Sequence, residues 1–187
     1  MMQPKSRETE LIGGIEKREI IIVDYQPQWA KQFQIHAKKI ADAMGNAALR
    51  IEHIGSTSVP DLAAKPIIDI LLMVENSAEE NSYLPQLEAA GYLLRVREPE
   101  FYEHRMFRTP EKDVHIHVYS HDSPEIKRNL TFRDRLRRNA KDREIYEQTK
   151  RKLATQQWPS MNAYANAKSE VIERIIAAAQ AAGEVSK

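Results

Sequence analysis

Hydrophobic residues are densest over residues 67–74, IIDILLMV, where Asp69 alone interrupts an apolar run. A strand that is apolar on both faces lies inside a sheet, so this segment predicts an internal strand. The sequence before it, RIEHI over residues 50–54, predicts a second strand, and Gly55-Ser56 followed by a short polar helix predicts the connection. Residues 113–119, DVHIHVY, alternate strictly between polar and apolar and predict a third strand with two different faces.

The remaining pattern predicts more strands and several helices. Further strands are expected over residues 20–23, 92–97 and 104–108. Helices are expected over residues 27–44, 77–90 with Gly91 as cap, 124–139, 141–156 and 160–182. The turns between the last three strands are too short for parallel crossovers, which predicts antiparallel pairing there.

These elements predict an α+β fold. A mixed sheet would carry helices mainly on one face and would be followed by a C-terminal helical bundle. Residues 1–19 are expected to form a loose arm, residues 20–123 the α/β core, and residues 124–187 a helical region packed on that core. The whole chain is expected to be one domain.

Composition narrows the class of protein. The 187 residues carry a formal net charge of +1 and contain no cysteine, which excludes disulfides, thiolate catalysis and Cys-based zinc sites. No apolar run approaches the ~20 residues of a membrane span, and the N-terminal sequence has no hydrophobic signal region. We therefore expect a cytoplasmic protein without a membrane partner; its oligomeric state is left open.

Four small residues after the second predicted strand are candidates for ligand contacts: Gly55, Ser56, Thr57 and Ser58. Glycine lets a ligand approach the backbone, the hydroxyl groups can form hydrogen bonds, and a helix beginning here offers free N–H groups to an anion. The alternative is an ordinary strand-to-helix turn in which Ser58 caps the helix. Neither a P-loop nor a dinucleotide-binding glycine pattern is present.

Asp69 needs an explanation because an ionised carboxylate is costly to bury unless it is paired or holds a metal. Lys65 or Arg105 could pair with it, and both are also candidates for binding a phosphate. Alternatively, Asp69 is a metal ligand together with His115 and His117, which project from one face of their strand. The alternative for the two histidines is a half-exposed polar face without a ligand.

Residues 127–152 contain eleven Lys or Arg against four Asp or Glu. Such a segment is usually a solvated helical face. The other interpretation is a wall that attracts phosphates, in which Arg133 would be oriented by the neighbouring Phe132. Nucleic acid as a partner has little support, because the net charge of the whole chain is close to zero.

The chain resembles the GrpB family of bacterial proteins. The resemblance is carried by HIGSTSVPDLAAKPIIDILLMV at residues 53–74, DVHIHVY at 113–119 and NLTFRDRLRRN at 129–139, with Tyr146 and Lys150 beyond them. It covers about residues 20–180. Asp61 stands where the family usually has a glycine.

That family resembles a branch of the nucleotidyltransferase superfamily, with its polymerase-β-like fold. The resemblance implies a Gly-Ser phosphate cradle at Gly55 and Ser56, and it makes Asp69 the first metal-binding carboxylate. The second carboxylate would fall at position 71, which is Leu71. A two-metal site needs more than one carboxylate to position two cations, so the resemblance carries over the fold and pocket better than the reaction.

The sequence thus leaves several functions open. The first is a nucleotidyltransferase that uses a divalent metal (Mg, Mn or Zn), with Asp69, His115 and His117 as catalytic residues. The second is a non-catalytic module that binds a nucleotide or another phosphorylated small molecule. The third is a metal-dependent enzyme of another class with a two-histidine, one-carboxylate site, which favours Mn, Zn or Fe over Mg. The fourth is a structural or interaction protein.

Overall fold

The computed structural model of the chain describes residues 9–16 and 19–186. It contains a six-stranded sheet in the order β1-β4-β5-β6-β3-β2. The strands are β1 (Glu10–Leu11), β2 (Arg50–Ile54), β3 (Ile68–Val74), β4 (Leu93–Glu98), β5 (His104–Arg108) and β6 (Val114–Ser120). Strands β3 and β6 are parallel and the other neighbouring pairs are antiparallel. The predicted mixed sheet, with antiparallel pairing among its last three strands, is confirmed.

In the described part of the chain, six α-helices accompany the sheet: α1 (Gln28–Met44), α2 (Leu84–Ala89), α3 (Pro124–Arg138), α4 (Ala140–Ala154), α5 (Met161–Ala167) and α6 (Ser169–Ala181). The single helix expected over residues 160–182 is divided at Lys168 into α5 and α6. Along the described parts of the chain, no helix has the length and apolar character needed to cross a lipid bilayer.

The two faces of the sheet have different coverings. On one face, alternate residues of β3 and β6, including Ile70 and Ile116, pack with Trp29 and Ile40 of α1 to form the main hydrophobic core. The other face carries Asp69, and the C-terminal helices border it through α3. The predicted fold class, a mixed sheet with helices and a C-terminal helical bundle, is confirmed.

The prediction of a strand over residues 20–23 is wrong. Val23 forms one isolated bridge with Ala64, with N–H···O distances of 3.0 and 2.9 Å. Its side chain packs against the main core and Ile22 lines a cavity, so these apolar residues serve packing rather than a ladder. The edge strand comes from the predicted arm, where β1 pairs with β4. Residues 1–8 and 17–18 of that arm lie outside the described residues.

The helix predicted over residues 77–90 is much shorter than expected. Ser77 does not cap it, because the backbone N–H of Ser77 donates to Ser120 Oγ at 2.9 Å and the two hydroxyls also lie 2.9 Å apart. The chain forms one 3₁₀ turn at Glu80–Ser82, and α2 begins at Leu84. The short polar helix expected after Gly55 is likewise a single 3₁₀ turn, Ser56–Ser58.

Candidate metal and ligand site

A cavity of about 500 Å³ lies between the sheet and the C-terminal helices. Its walls include the loop after β2, the ends of β3 and β6, and residues of α3 to α6. Seven of the ten residues predicted from the sequence line it: Gly55, Ser56, Thr57, Lys65, Asp69, His115 and His117. The fold therefore brings these seven residues together around one cavity.

The loop after β2 approaches Asp69 very closely at Gly55. This glycine has φ +68°, and a Cβ atom built on it would lie 2.5 Å from Asp69 Oδ2. Neighbouring hydroxyls hold the loop in place: Thr57 Oγ1 donates to Ile67 O at 2.9 Å, and Ser58 Oγ donates to Gly55 O at 2.6 Å. Position 55 thus requires glycine, and Thr57 and Ser58 bond to the backbone rather than extend toward a ligand.

Asp69, His115 and His117 converge because β3 and β6 run in parallel with Asp69 opposite His115. Asp69 Oδ1 lies 3.6 Å from His115 Nδ1 and 3.5 Å from His117 Nε2. One ligand atom from each residue falls within 4.8 Å of the other two. Burial alone would raise the pKa of Asp69, but its contacts with the two histidines hold that pKa well below the usual range. Two imidazoles and an ionised carboxylate form a donor set that suits a divalent transition metal.

A hydrogen-bonded chain extends from this site to Glu98. His104 Nδ1 lies 2.7 Å from Glu98 Oε2, and His104 Nε2 lies 3.1 Å from His117 Nδ1, with the two imidazole rings only 12° from parallel. Because the carboxylate can only accept, His104 donates from Nδ1 and accepts at Nε2 from His117 Nδ1–H. With Nδ1–H of His117 donated to His104, Nε2, the atom that faces Asp69, is available to a metal ion when one is bound. Such partners orient the histidine ligands of metal sites.

Lysines line the side of the cavity formed by the C-terminal helices and the loop before β3. Lys65 contacts Met161 Sδ at 3.8 Å, and Lys168 lies 4.7 Å from the centre of the Tyr164 ring. Lys150 is 2% exposed, and burial lowers the pKa of its ammonium group to about 7, with the charge of Lys168 lowering it further. The cavity thus combines a metal-ligand set with several cationic groups.

Leu71, at the position where the resemblance to nucleotidyltransferases would place a second carboxylate, is fully buried. It forms a small hydrophobic cluster with Tyr119 of β6 and with Ile126 and Leu130 of α3. Helix α3 therefore covers the position where a second acid would face a second metal ion. The leucine that stands in place of an acid therefore packs in an apolar interface rather than facing an open site.

Three predicted ligand-binding residues lie elsewhere. Arg105 is on the same face of β5 as Phe107, opposite the cavity, and its Nε donates to Glu80 Oε1 at 2.5 Å. Arg133 is buried; it donates to Glu52 Oε2 and to Asp134 Oδ1 at 2.7 Å each. Neither of these arginines lines the cavity, and Ser58 does not line it either. The phosphate contacts predicted for them are therefore corrected, since their side chains are engaged in structural hydrogen bonds.

Five of the seven arginines of residues 127–152 form ion pairs. Carboxylates accept from Arg128, Arg133, Arg135, Arg137 and Arg151.

The sequence did not predict that His104, Lys150 or Lys168 belongs to the site. His104 could not be assigned because its face depends on the register between β5 and β6. Lys150 gave the only available signal, since it belongs to the stretches that resemble the GrpB family.

Together, fold and cavity define a mixed α/β protein with a candidate metal and ligand site. The family described as GrpB protein matches residues 19–178, and the chain belongs to that family. UPF0157 protein BH1888 of Halalkalibacterium halodurans is 51% identical over 162 residues, which cover 87% of this chain and 83% of that protein. The crystal structure of the conserved protein GrpB from Enterococcus faecalis is 33% identical, with a TM-score of 0.72 over 86% of this chain and 99% of that one.

Two more distant similarities involve proteins with named activities. A dephospho-CoA kinase of Mycolicibacterium paratuberculosis is 38% identical over 81 residues, which cover 42% of this chain and 20% of that protein. The Cid1 poly(U) polymerase structure aligns with a TM-score of 0.46 and 9% identity over 70% of this chain and 45% of that one, a distance at which similarity carries no functional argument.

Proposed function

We propose that the protein binds a nucleotide or another phosphorylated small molecule in this cavity, together with one divalent metal ion. The observation that carries the proposal is the convergence of Asp69, His115 and His117 on the wall of a cavity that lysines also line. A ligand pocket of a few hundred Å³ with a few convergent polar groups is typical of small-molecule sites. The lysines supply the charge that a phosphate requires.

The donor set favours Mn, Zn or Fe over Mg, because Mg prefers oxygen ligands in near-octahedral geometry. Such an ion, when bound, would polarise a phosphoryl oxygen and lower the pKa of a water ligand. The residues of this chain would have distinct roles. Asp69, His115 and His117 would hold the ion, and His104 would keep His117 in the required tautomer. The close approach of Gly55 to Asp69 would bring the loop backbone to the ligand.

Nucleotidyl transfer by a two-metal mechanism has weaker support than ligand binding with a single metal. The position of the second acid holds Leu71 in an apolar cluster under α3. Two cations held by one carboxylate would be poorly neutralised. A one-metal site is compatible either with a binding module or with hydrolytic chemistry, and an activity assay separates these two outcomes.

The metal part of the proposal is tested with protein purified without a histidine tag and treated with a chelator. Titration with Mn²⁺, Zn²⁺ and Mg²⁺ should give one site that prefers Mn²⁺ or Zn²⁺. The H117Q variant should weaken binding at least tenfold, whereas H121Q, which changes an exposed histidine just beyond β6, should bind as the unmodified chain does. Equal binding by both variants would disprove the assignment of the metal ligands.

The ligand part is tested by thermal shift with the four NTPs, ADP, dephospho-CoA and CoA. Dephospho-CoA is included because one relative carries the name dephospho-CoA kinase. A ligand present at 100 times its Kd stabilises the folded protein by about 2.7 kcal/mol, which such an assay detects. Stabilisation by a phosphorylated compound but not by its unphosphorylated nucleoside is expected. Pyrophosphate or phosphate release in the same mixtures would identify the protein as an enzyme.

A further inference from the structure

Lys150 of α4 is unusually placed for a charged residue. Its side chain is 2% exposed, its Nζ donates to the carbonyl oxygen of Ala63, and it lies 4.9 Å from the centre of the Tyr146 ring. Its position on the cavity wall leaves ammonium hydrogens for a ligand, because the one hydrogen bond to Ala63 uses only one of three donors. A buried ammonium group without a counter-charge is costly, so its presence needs an explanation.

Nearby charged groups do not supply that counter-charge. Among the described residues, no carboxylate forms an ion pair with Lys150 or with Lys168, the second lysine at this end of the cavity. The charge of Glu147 raises the pKa of Lys150, but the oxygens of Glu147 accept from Arg151 Nε at 3.0 Å and from the Ala63 N–H at 3.0 Å.

The other ionisable groups around Lys150 do not neutralise it either. Arg151 and Lys168 are themselves cationic and disfavour the charged form of Lys150. Tyr146 stays protonated, because burial raises its pKa to about 12. This end of the cavity therefore holds the amino groups of Lys150 and Lys168 in a partly desolvated region, and an anion is the missing element.

We propose that Lys150 and Lys168 form a subsite for a phosphate dianion and that Lys150 takes up a proton when the dianion binds. The inference rests on the proposed function and deepens it, because it assigns the phosphate end of the ligand to particular residues. A dianion matches the two ammonium charges, whereas a monoanion such as a carboxylate would leave one charge unbalanced. The uptake is one step, in which the neutral amine of Lys150 accepts a proton from the buffer and becomes an ammonium ion.

The direction of the proton transfer follows from linkage. Without a ligand, burial and the charge of Lys168 lower the pKa of Lys150 to about 7. A bound dianion would stabilise the ammonium form and raise that pKa. At pH 8 about nine-tenths of a lysine with this pKa is neutral, so binding should take up roughly 0.9 proton, and the uptake should diminish toward pH 6.

The test uses metal-free protein and inorganic sulfate, a dianion that exchanges no proton near neutral pH. Isothermal titration at pH 8 in two buffers with different ionisation enthalpies measures the protons taken up. Inorganic phosphate and acetate titrated in the same way compare a dianion with a monoanion. The expected result is binding of sulfate and phosphate with proton uptake in the sulfate titration, and binding of acetate at least tenfold weaker.

Variants assign the uptake to Lys150. K150M should weaken sulfate binding at least tenfold and abolish the uptake, and K168M should weaken binding by a similar factor. K150R keeps a permanent charge, so it should bind sulfate without proton uptake. If K150M does not fold, K150R provides the test of proton uptake instead. K152M changes an exposed lysine of the same helix and should behave as the unmodified chain does.

Two outcomes would overturn the inference: sulfate binding whose enthalpy is independent of the buffer, or sulfate binding by folded K150M at the unmodified affinity. Because these titrations contain no metal, they are independent of the metal titrations on the H117Q variant. Failure here with intact metal binding would remove the anion subsite and leave the metal site standing. Failure of the metal titrations alone would leave the anion subsite standing.

Discussion

Gly55 and Asp69 are in contact in a way that only glycine allows. A Cβ atom at position 55 would lie 2.5 Å from Asp69 Oδ2 and 3.0 Å from Asp69 Cβ. The backbone at Gly55 has φ +68° and ψ −174°, a region that is essentially restricted to glycine. The Gly-Ser turn and the carboxylate of Asp69 therefore depend on each other for their positions.

The G55A variant should lose both stability and metal binding. Backbone strain and the clash with Asp69 together should lower the free energy of unfolding by about 2 to 5 kcal/mol, and the displaced carboxylate should weaken metal binding at least tenfold. Urea unfolding and metal titration measure the two effects. G45A is the matched control, since Gly45 also has a positive φ, +53°, but a Cβ atom added there would meet nothing within 4 Å. Equal metal affinity in G55A and G45A would contradict the argument.

The sequence predicted the parts of this site that depend on local pattern. Alternation over residues 113–119 placed His115 and His117 on one face, and the apolar run around Asp69 predicted an internal strand. For Arg105, the local pattern did not predict on which face of the sheet the side chain lies. Its strand was predicted with the observed bounds, His104–Arg108, but the face depends on the register with β6, and a shift of one residue reverses it. The phosphate-binding role predicted for Arg133 failed for another reason. Its hydrogen-bond partner Glu52 lies 81 positions earlier in the chain, so a local pattern could not reveal their contact.

Restoring an acid at position 71 should damage the fold rather than create a second metal site. Leu71 is fully buried in a hydrophobic cluster with residues of β6 and α3, so L71D places a carboxylate in an apolar environment. The free energy of unfolding should fall by about 3 to 5 kcal/mol at pH 7.

The pH dependence of L71D separates the charge from the change of shape. The buried Asp would have a raised pKa in the folded state, so the folded state binds more protons and stability recovers as the pH falls toward about 4. L71N has nearly the same shape and should show no such recovery. A stable L71D that binds a second metal equivalent would show that α3 leaves room for a two-metal site.

Removing His104 should weaken metal binding without removing a metal ligand. His104 accepts from His117 Nδ1 at 3.1 Å and so fixes the tautomer that presents Nε2 to the ion. Loss of such a partner typically reduces metal affinity 10- to 100-fold, and H104F should fall in this range. H36F is a suitable control, because His36 bonds to Tyr92 at 2.7 Å on the other face of the sheet. An H104F protein with unchanged metal affinity would contradict the proposed orientation.

Arg133 should prove to be a structural residue. Its guanidinium group bonds to Glu52, Asp134 and the carbonyl oxygen of His53, and the side chain is 9% exposed. R133M removes the cation from this buried cluster, in which Glu52 keeps Arg50 and Asp134 keeps Ser186 and Arg137, and it should lower the free energy of unfolding by about 3 kcal/mol. Sulfate and nucleotide affinity of the folded fraction should stay unchanged, as should the affinity of the control K152M. A stable R133M with weakened sulfate binding would restore the phosphate-binding role predicted from the sequence.

His53 should make the protein less stable in mild acid. The imidazole is buried, stacks on Phe33 at 4.7 Å and lies 3.1 Å from Thr57 Oγ1. Burial lowers the pKa of His53 to about 4, with the nearby arginines lowering it further and Asp69 opposing them. Between pH 6.5 and 4 the unfolded chain therefore binds a proton at this histidine that the folded chain does not. Stability falls as the pH falls through this window, by roughly 3 kcal/mol in total from this residue.

The contribution of His53 is measured as a difference between two stability profiles. H53Q keeps a polar group near Thr57 but does not titrate, so its free energy of unfolding should fall by roughly 3 kcal/mol less than that of the unmodified chain between pH 6.5 and 4. His36 and His104 also have pKa values lowered by burial and act in the same direction in both proteins, so the difference isolates His53. H121Q, at an exposed position, should reproduce the unmodified profile. If H53Q and the unmodified chain lose stability in parallel, then His53 is already protonated in the folded protein, and the loop that Thr57 anchors beside Asp69 must tolerate that charge.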